Sequence, residues 1–436
     1  MLDGASPRHD SGGELPADAA VTDAGHADSG LPEDPCAVRF LDRQWGTDRD
    51  DEVRALLADA EGHVIAAGYL AGKLGVADDG PTGNSAGFVE RLWRGRARWV
   101  AGLDTDTSDI VEALTVGPDG ALYFAGRTRG VVPSSTSRGG FDLVLGRVSD
   151  AGQVSWLGQH GTPRPEAPRA ITFDQEGRLL VVGYTDIYIP TNYVEAWEDP
   201  FIAAFDSIQA DSPPWQVYFT QFESPEYDFG YGVAAADDGR AWLVGAVVNG
   251  SNSGAYVADI TQAGAVERVQ RWSRGALENI AAVARAADGD LILAGTTNLK
   301  LGAESFGQQD AFVAKVDPAS LTPRWVTQLG SSEFDWVTSM ALGAAGQTVV
   351  VGETFGAFHP GAEVGGVGDV FAFQVDGQGE PMWTWQGGSQ DNDTPSSVVI
   401  DACGDVIVGG STNGDFVSAS LGSRDAFVVR ARTSDL

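Results

Sequence analysis

The chain is 436 residues long and 43% hydrophobic, enough for a large core. Its 61 acidic residues outnumber 28 basic ones, giving a formal net charge of -33. A surface that acidic repels nucleic acid and anionic membranes, and no apolar run approaches the ~20 residues of a transmembrane helix.

Residues 1–35 contain no aromatic residue and are rich in Asp, Ala, Gly, Ser and Pro. They read as a disordered acidic tether, because nothing in them can build a core. They also lack the basic start and apolar stretch of a signal peptide.

From residue 36 to residue 436 the chain reads as one repeat domain with a period of about 57 residues. Its marker is a pair of glycines six residues apart, present seven times: Gly62 and Gly68, Gly120 and Gly126, Gly177 and Gly183, Gly239 and Gly245, Gly289 and Gly295, Gly346 and Gly352, Gly404 and Gly410. The first glycine of each pair suits a hairpin turn that needs positive φ. The second is expected to end the strand that follows.

Around each pair lie four short strands. The first holds one large apolar residue per copy, such as Leu56 or Met340. The second is an apolar run, such as Leu291-Ile292-Leu293. The third is typified by Asp310-Ala311-Phe312-Val313, and the fourth carries a tryptophan, as at Trp99, Trp156, Trp325 and Trp383. The pattern predicts an all-β, seven-bladed β-propeller with four antiparallel strands per blade. The seventh copy ends without its fourth strand. Val38, Arg39, Phe40 and Leu41, before the first copy, are expected to supply it and close the ring.

Three motifs carry a family resemblance: Gly-x-Thr after the second strand (Gly126-Arg127-Thr128, Gly295-Thr296-Thr297, Gly352-Glu353-Thr354), the Asp-Ala-Phe-Val strand, and Trp-x-x-Gln-x-Gly from Trp325 to Gly330. Together they resemble the SBBP-type β-propeller repeat of bacterial surface and secreted proteins. The resemblance implies an extracytoplasmic place, at the cell surface or in the periplasm, and no single chemistry. The acidic tail is similar to the spacers that follow the lipid anchor of surface lipoproteins. That implies an anchor carried by an upstream signal, since the sequence shows no lipobox.

A carboxylate stands eleven residues before every hairpin glycine: Asp51, Asp109, Glu166, Asp228, Glu278, Asp335 and Asp393. The position opens the innermost strand, so the seven acids are expected around one mouth of the central channel. They either accept hydrogen bonds from the adjoining loops or present a ring of oxygen ligands to a cation such as Ca²⁺. No other cofactor is implied. A second set, Asp142, Asp199, Asp310, Asp369 and Asp425, opens the third strand in five copies and fits a loop-closing hydrogen bond.

The third constellation is local to blades 3 and 4. Tyr184, Tyr188, Tyr193 and Trp197 lie in one loop region, and Tyr227, Phe229 and Tyr231 in the next connection. Both open on the same face. Packed together they form a satellite core; exposed, they offer the flat apolar faces and polar edges that bind a sugar or a peptide. No Ser/His/Asp arrangement tied to a motif is present. The reading is a monomeric, non-enzymatic binding or scaffold module for a carbohydrate or protein ligand. A glycoside hydrolase or lyase using rim carboxylates and a purely structural protein are the alternatives.

The two cysteines, Cys36 and Cys403, are far apart in sequence but not in the expected fold. Cys403 sits in the turn between the first two strands of blade 7, and Cys36 just before the closing strand of that blade. They are expected to form a disulfide across the seam.

Overall fold

The computed structural model describes residues 36, 40–59, 61–71, 84–187, 197–205, 215–219, 227–248, 253–272, 279–302, 304–362 and 364–431, with backbone alone at 157, 186, 187, 197, 198, 215–219 and 227. The acidic segment 1–35 lies outside them. Seven four-stranded antiparallel sheets follow one another along the chain, making a seven-bladed β-propeller. In blade 1 the strands are Glu52–Ala58, Val64–Ala71, Ser85–Trp93 and Arg96–Leu103, paired in sequence order. The innermost strands of blades 2 to 7 are Asp109–Val116, Glu166–Phe173, Tyr227–Ala235, Asn279–Arg285, Asp335–Leu342 and Asp393–Ile400.

Each strand is too short to be stable alone, and the core lies between blades. Seven apolar clusters fill the seven junctions. At the junction of blades 7 and 1, Val53, Leu56, Phe88 and Leu92 pack against Ile407 and Val428. This repeated face-to-face burial is the favourable term that holds the ring together.

The two glycines of each repeat do different jobs. The hairpin glycines have φ between 75° and 90°, a region that a Cβ disfavours. The second glycine does not end its strand, as the spacing suggested; it lies within it. Opposite it the innermost strand has a β-bulge: Val53 pairs with Gly68 and Ala55 with Ala67, leaving Arg54 as the extra residue. A Cβ on Gly68 would stand 1.9 Å from the Glu52 carbonyl oxygen, and one on Gly352 would stand 2.0 Å from that of Trp336. The glycine is required because the bulge pushes a backbone carbonyl into the space of its side chain.

The ring closes through an N-terminal strand, but the described part of the expected segment, Phe40 and Leu41, lies outside it. Residues 37–39 lie outside the described set, and Phe40 and Leu41 turn towards blade 1. There Phe40 is buried and the Leu41 N–H donates to the Arg94 carbonyl at 3.1 Å. The closing strand is Arg43–Trp45, antiparallel to Asp425–Ala431. Gln44 decides the register. Its Nε2 donates to Asp425 Oδ2 at 2.9 Å, while its Oε1 accepts from the N–H groups of Phe416, Val417 and Ser418. Gln159, Gln328 and Gln386 make the same pair of contacts with Asp142, Asp310 and Asp369 and their loops. The third-strand aspartates Asp142, Asp310, Asp369 and Asp425 thus close loops.

Cys36 and Cys403 form the expected disulfide, with Cα atoms 5.5 Å apart. It spans 367 residues, a loop for which the chain-entropy model gives about 6 kcal/mol before any strain. Beside it the buried Arg94 pairs with Asp401 at 2.6 Å.

Candidate functional site

The seven bulges give the channel its lining. The unpaired residues are, in blade order, Arg54, Glu112, Arg169, Tyr231, Ala281, Thr338 and Ser396. All seven border one cavity of about 330 Å³. A bulge re-aims one side chain without breaking the strand, so one freely chosen residue per blade reaches the axis. Blades 1 to 3 supply a charged wall, and blades 5 to 7 a small, neutral one.

Glu112 is the centre of the charged wall. It is buried, with Arg127 Nε at 2.8 Å, Arg169 Nη1 at 3.7 Å and Arg54 Nε at 3.9 Å from its carboxylate. Burial alone would raise its pKa, but the three guanidinium groups outweigh that and hold it below the usual carboxylate range. Burial opposes the charge on Arg54 and Arg169 as well, and Glu112 overcomes it in both. Glu52 takes Arg54 at 3.3 Å, Arg424 at 3.7 Å and the Tyr69 hydroxyl at 3.3 Å.

The aromatic constellation joins this wall. Arg169 Nη2 donates to Tyr184 Oη at 2.6 Å, and its guanidinium lies 5.1 Å from the Tyr184 ring centroid. Tyr184 meets Phe229 edge-on with centroids 5.1 Å apart, and Phe229 stacks on Tyr231 at 5.8 Å. All three rings are half-buried. Tyr188 and Tyr193 lie outside the described residues. Trp197 and Tyr227 are described as strand backbone only, opposite Ile187 and Val248.

Around the mouth, the carboxylates that open the innermost strands are engaged one by one on the loops of their own blades. Asp51, Asp109, Glu166, Asp335 and Asp393 each accept from the N–H four residues earlier, at Thr47, Thr105, Thr162, Ser331 and Ser389, over 2.5–2.8 Å. Asp228 is buried at the same place, and Glu278 lies outside the described residues. Burial, the largest influence, pushes Asp51, Asp109 and Asp335 up to about 6 and Glu166 up to about 7. Among the described residues, the acidic and imidazole groups close enough to share an ion are instead Asp59, Glu61 and His63, in the blade 1 hairpin. There Asp59 already accepts from Arg91 at 2.6 Å.

A larger cleft, of about 770 Å³, runs between blades 4 and 5 past Trp242. Its arginines are spent. Arg240 pairs with Asp259 at 2.5 Å, Arg285 with Asp237 at 2.5 Å, and Arg268 with the same Asp259 at 3.4 Å. In the channel, by contrast, Arg54 and Arg169 stand beyond hydrogen-bond distance of Glu112.

Motif reading missed Arg54, Glu112 and Arg169. The signal was present: each stands at one fixed distance before the second glycine of its repeat, as Ser396 does before Gly410. That position changes chemical type from blade to blade while its neighbours keep theirs.

No protein-family model matches the chain. The regulatory protein FlaEY of Caulobacter vibrioides is 28% identical over 206 residues, which covers 43% of this chain and 21% of that protein. The chain thus spans about a fifth of that relative's length. Among solved structures, an ulvan lyase of a polysaccharide lyase family superposes at TM-score 0.48 with 10% identity, covering 89% of this chain and 96% of the lyase. An α-L-arabinanase of Penicillium chrysogenum complexed with arabinobiose gives TM-score 0.43 and 13% identity, covering 73% and 92%. Sqt1 of Chaetomium thermophilum, bound to the N-terminus of a ribosomal protein, gives 0.45 and 12%, covering 88% and 98%. Likenesses of this strength carry no statement about activity.

Proposed function

We propose that the chain is an SBBP-like, extracytoplasmic binding module that takes a carbohydrate at the mouth of its channel. The carrying observation is the contact chain Arg169, Tyr184, Phe229 and Tyr231, whose two ends, Arg169 and Tyr231, border a cavity the size of a small-ligand site. A sugar ring has an apolar face and a hydroxyl-rich edge, which half-buried tyrosines and guanidinium donors complement. The disulfide fits an oxidising compartment. The acidic segment fits a tether to a lipid anchor, and the closed ring fits a monomer.

Binding takes precedence over glycoside hydrolysis because the carboxyls of raised pKa, Asp51, Asp109, Glu166 and Asp335, are bound to the loops of their own blades and do not border the cavity, where a hydrolase needs its proton donor. Glu112, the most buried channel carboxylate, is held low by its arginines. The test is calorimetric titration of the full chain with a panel of neutral and acidic oligosaccharides and with an unrelated peptide. Binding of at least one saccharide is expected, with loss of about tenfold or more in Tyr231→Ala. No saccharide binding, an unchanged Tyr231→Ala variant, binding of the peptide alone, or cleavage of the sugar would contradict the reading.

A further inference from the structure

We infer that the channel selects a ligand bearing an anionic group, a carboxylate or a sulfate ester, and that Arg54 and Arg169 receive it; the inference rests on the carbohydrate reading above. The charge distribution points that way. The chain as a whole carries -33, yet the two carboxylates that border the cavity, Glu52 and Glu112, are met by Arg54, Arg127, Arg169 and Arg424, and among the described residues only Asp50, on Arg424 at 3.7 Å, adds a third acid to these four bases. A local cationic excess inside a strongly acidic protein is costly unless an anion completes it.

The geometry identifies the two receiving groups. Arg54 and Arg169 are bulge residues that border the cavity, with side chains 26% and 28% exposed. The Nε of each makes no hydrogen bond, although that of Arg54 lies 3.3 Å from Glu52 Oε1, and Arg169 gives one Nη2 N–H to Tyr184. Both approach Glu112 beyond hydrogen-bond distance, at 3.9 and 3.7 Å, so its carboxylate holds them in place without consuming their donors. A guanidinium has five N–H groups in a planar fork suited to carboxylate or sulfate oxygens. Facing them, Ala281, Thr338 and Ser396 leave room for the body of a sugar ring. The acidic exterior repels dense polyanions, so a saccharide with separated anionic groups fits better than nucleic acid.

The experiment measures affinity of the full chain for glucose, glucuronate and glucose 6-sulfate, by calorimetry and by ligand-induced shift of melting temperature. Both anionic sugars are expected to bind about tenfold or more tightly than glucose, since a hydrogen bond to a charged group is worth more than a neutral one. Their relative affinities distinguish the carboxylate from the sulfate source. Arg54→Met and Arg169→Met should each lose most of that preference, with Lys at either position restoring part of it. Glu112→Gln should act in the opposite sense, strengthening the anionic sugars about tenfold by removing the internal competitor. This variant separates recognition from mere loss of structure, because a damaged site would weaken all three ligands together. Equal affinity for all three sugars, or Glu112→Gln weakening the anionic ones, would overturn the inference. Continued binding of neutral oligosaccharides in that case would leave the carbohydrate reading standing, whereas failure of every saccharide would remove both.

Discussion

Glu166 is a strongly displaced carboxyl of the mouth. Burial raises it from 4.5 to about 7 against the lowering effect of two Thr162 hydrogen bonds, and nearby Asp142 raises it further. The native chain therefore keeps a proton that the unfolded chain releases, so this group makes stability fall as pH rises from about 4.5 to about 7. Asp51, Asp109 and Asp335 act alike, but their window closes near pH 6. His160 opposes them: burial, aided by Arg138, pushes it down to about 4, so its share of stability is gained as pH rises towards 6.5. Glu166→Gln isolates the first effect. It keeps the Oε1 acceptor for Thr162 and removes the titration. Its melting temperature relative to the parent should rise between pH 4.5 and 7.5, by the equivalent of roughly 2–3 kcal/mol. A constant difference across that range would show that Glu166 titrates normally in the fold.

The bulged innermost strand is the element on which both fold and site depend. Substituting the second glycine tests its geometry against that of the first. In Gly352→Ala the added methyl would stand 2.0 Å from the Trp336 carbonyl and also meet the Phe371 ring. The bulge or the strand must move, at a cost of about 3 kcal/mol or more. In Gly346→Ala nothing lies within 4 Å, and only the φ of +83° is penalised, about 1–2 kcal/mol. Denaturant melts should rank the variants in that order, and equal losses would refute the close approach. The glycine spacing made the hairpins legible from sequence, because a turn with positive φ has one common solution. The bulge was not legible. A glycine inside a strand and one at its end look alike until the partner strand is placed, and so the residue aimed into the channel could not be named.

At the scale of the whole molecule, closure was readable and its details were not. The missing fourth strand of the last copy required an N-terminal donor, and the cysteines marked the same seam. The donor begins at Arg43 because Gln44 must satisfy Asp425 and three loop N–H groups at once. That side-chain network sets the strand downstream of Phe40, which lies instead in the core between blades 7 and 1. The site was least legible, since it is assembled from one residue of each of seven repeats. Its central claim is that a saccharide binds on the ring axis. A crystal structure of the full chain with a glucuronate-containing oligosaccharide tests this most directly. The account predicts sugar density in the channel, with its carboxylate on Arg54 and Arg169 and its ring towards Ser396. Density in the cleft between blades 4 and 5, beside Trp242, with an empty channel would contradict it.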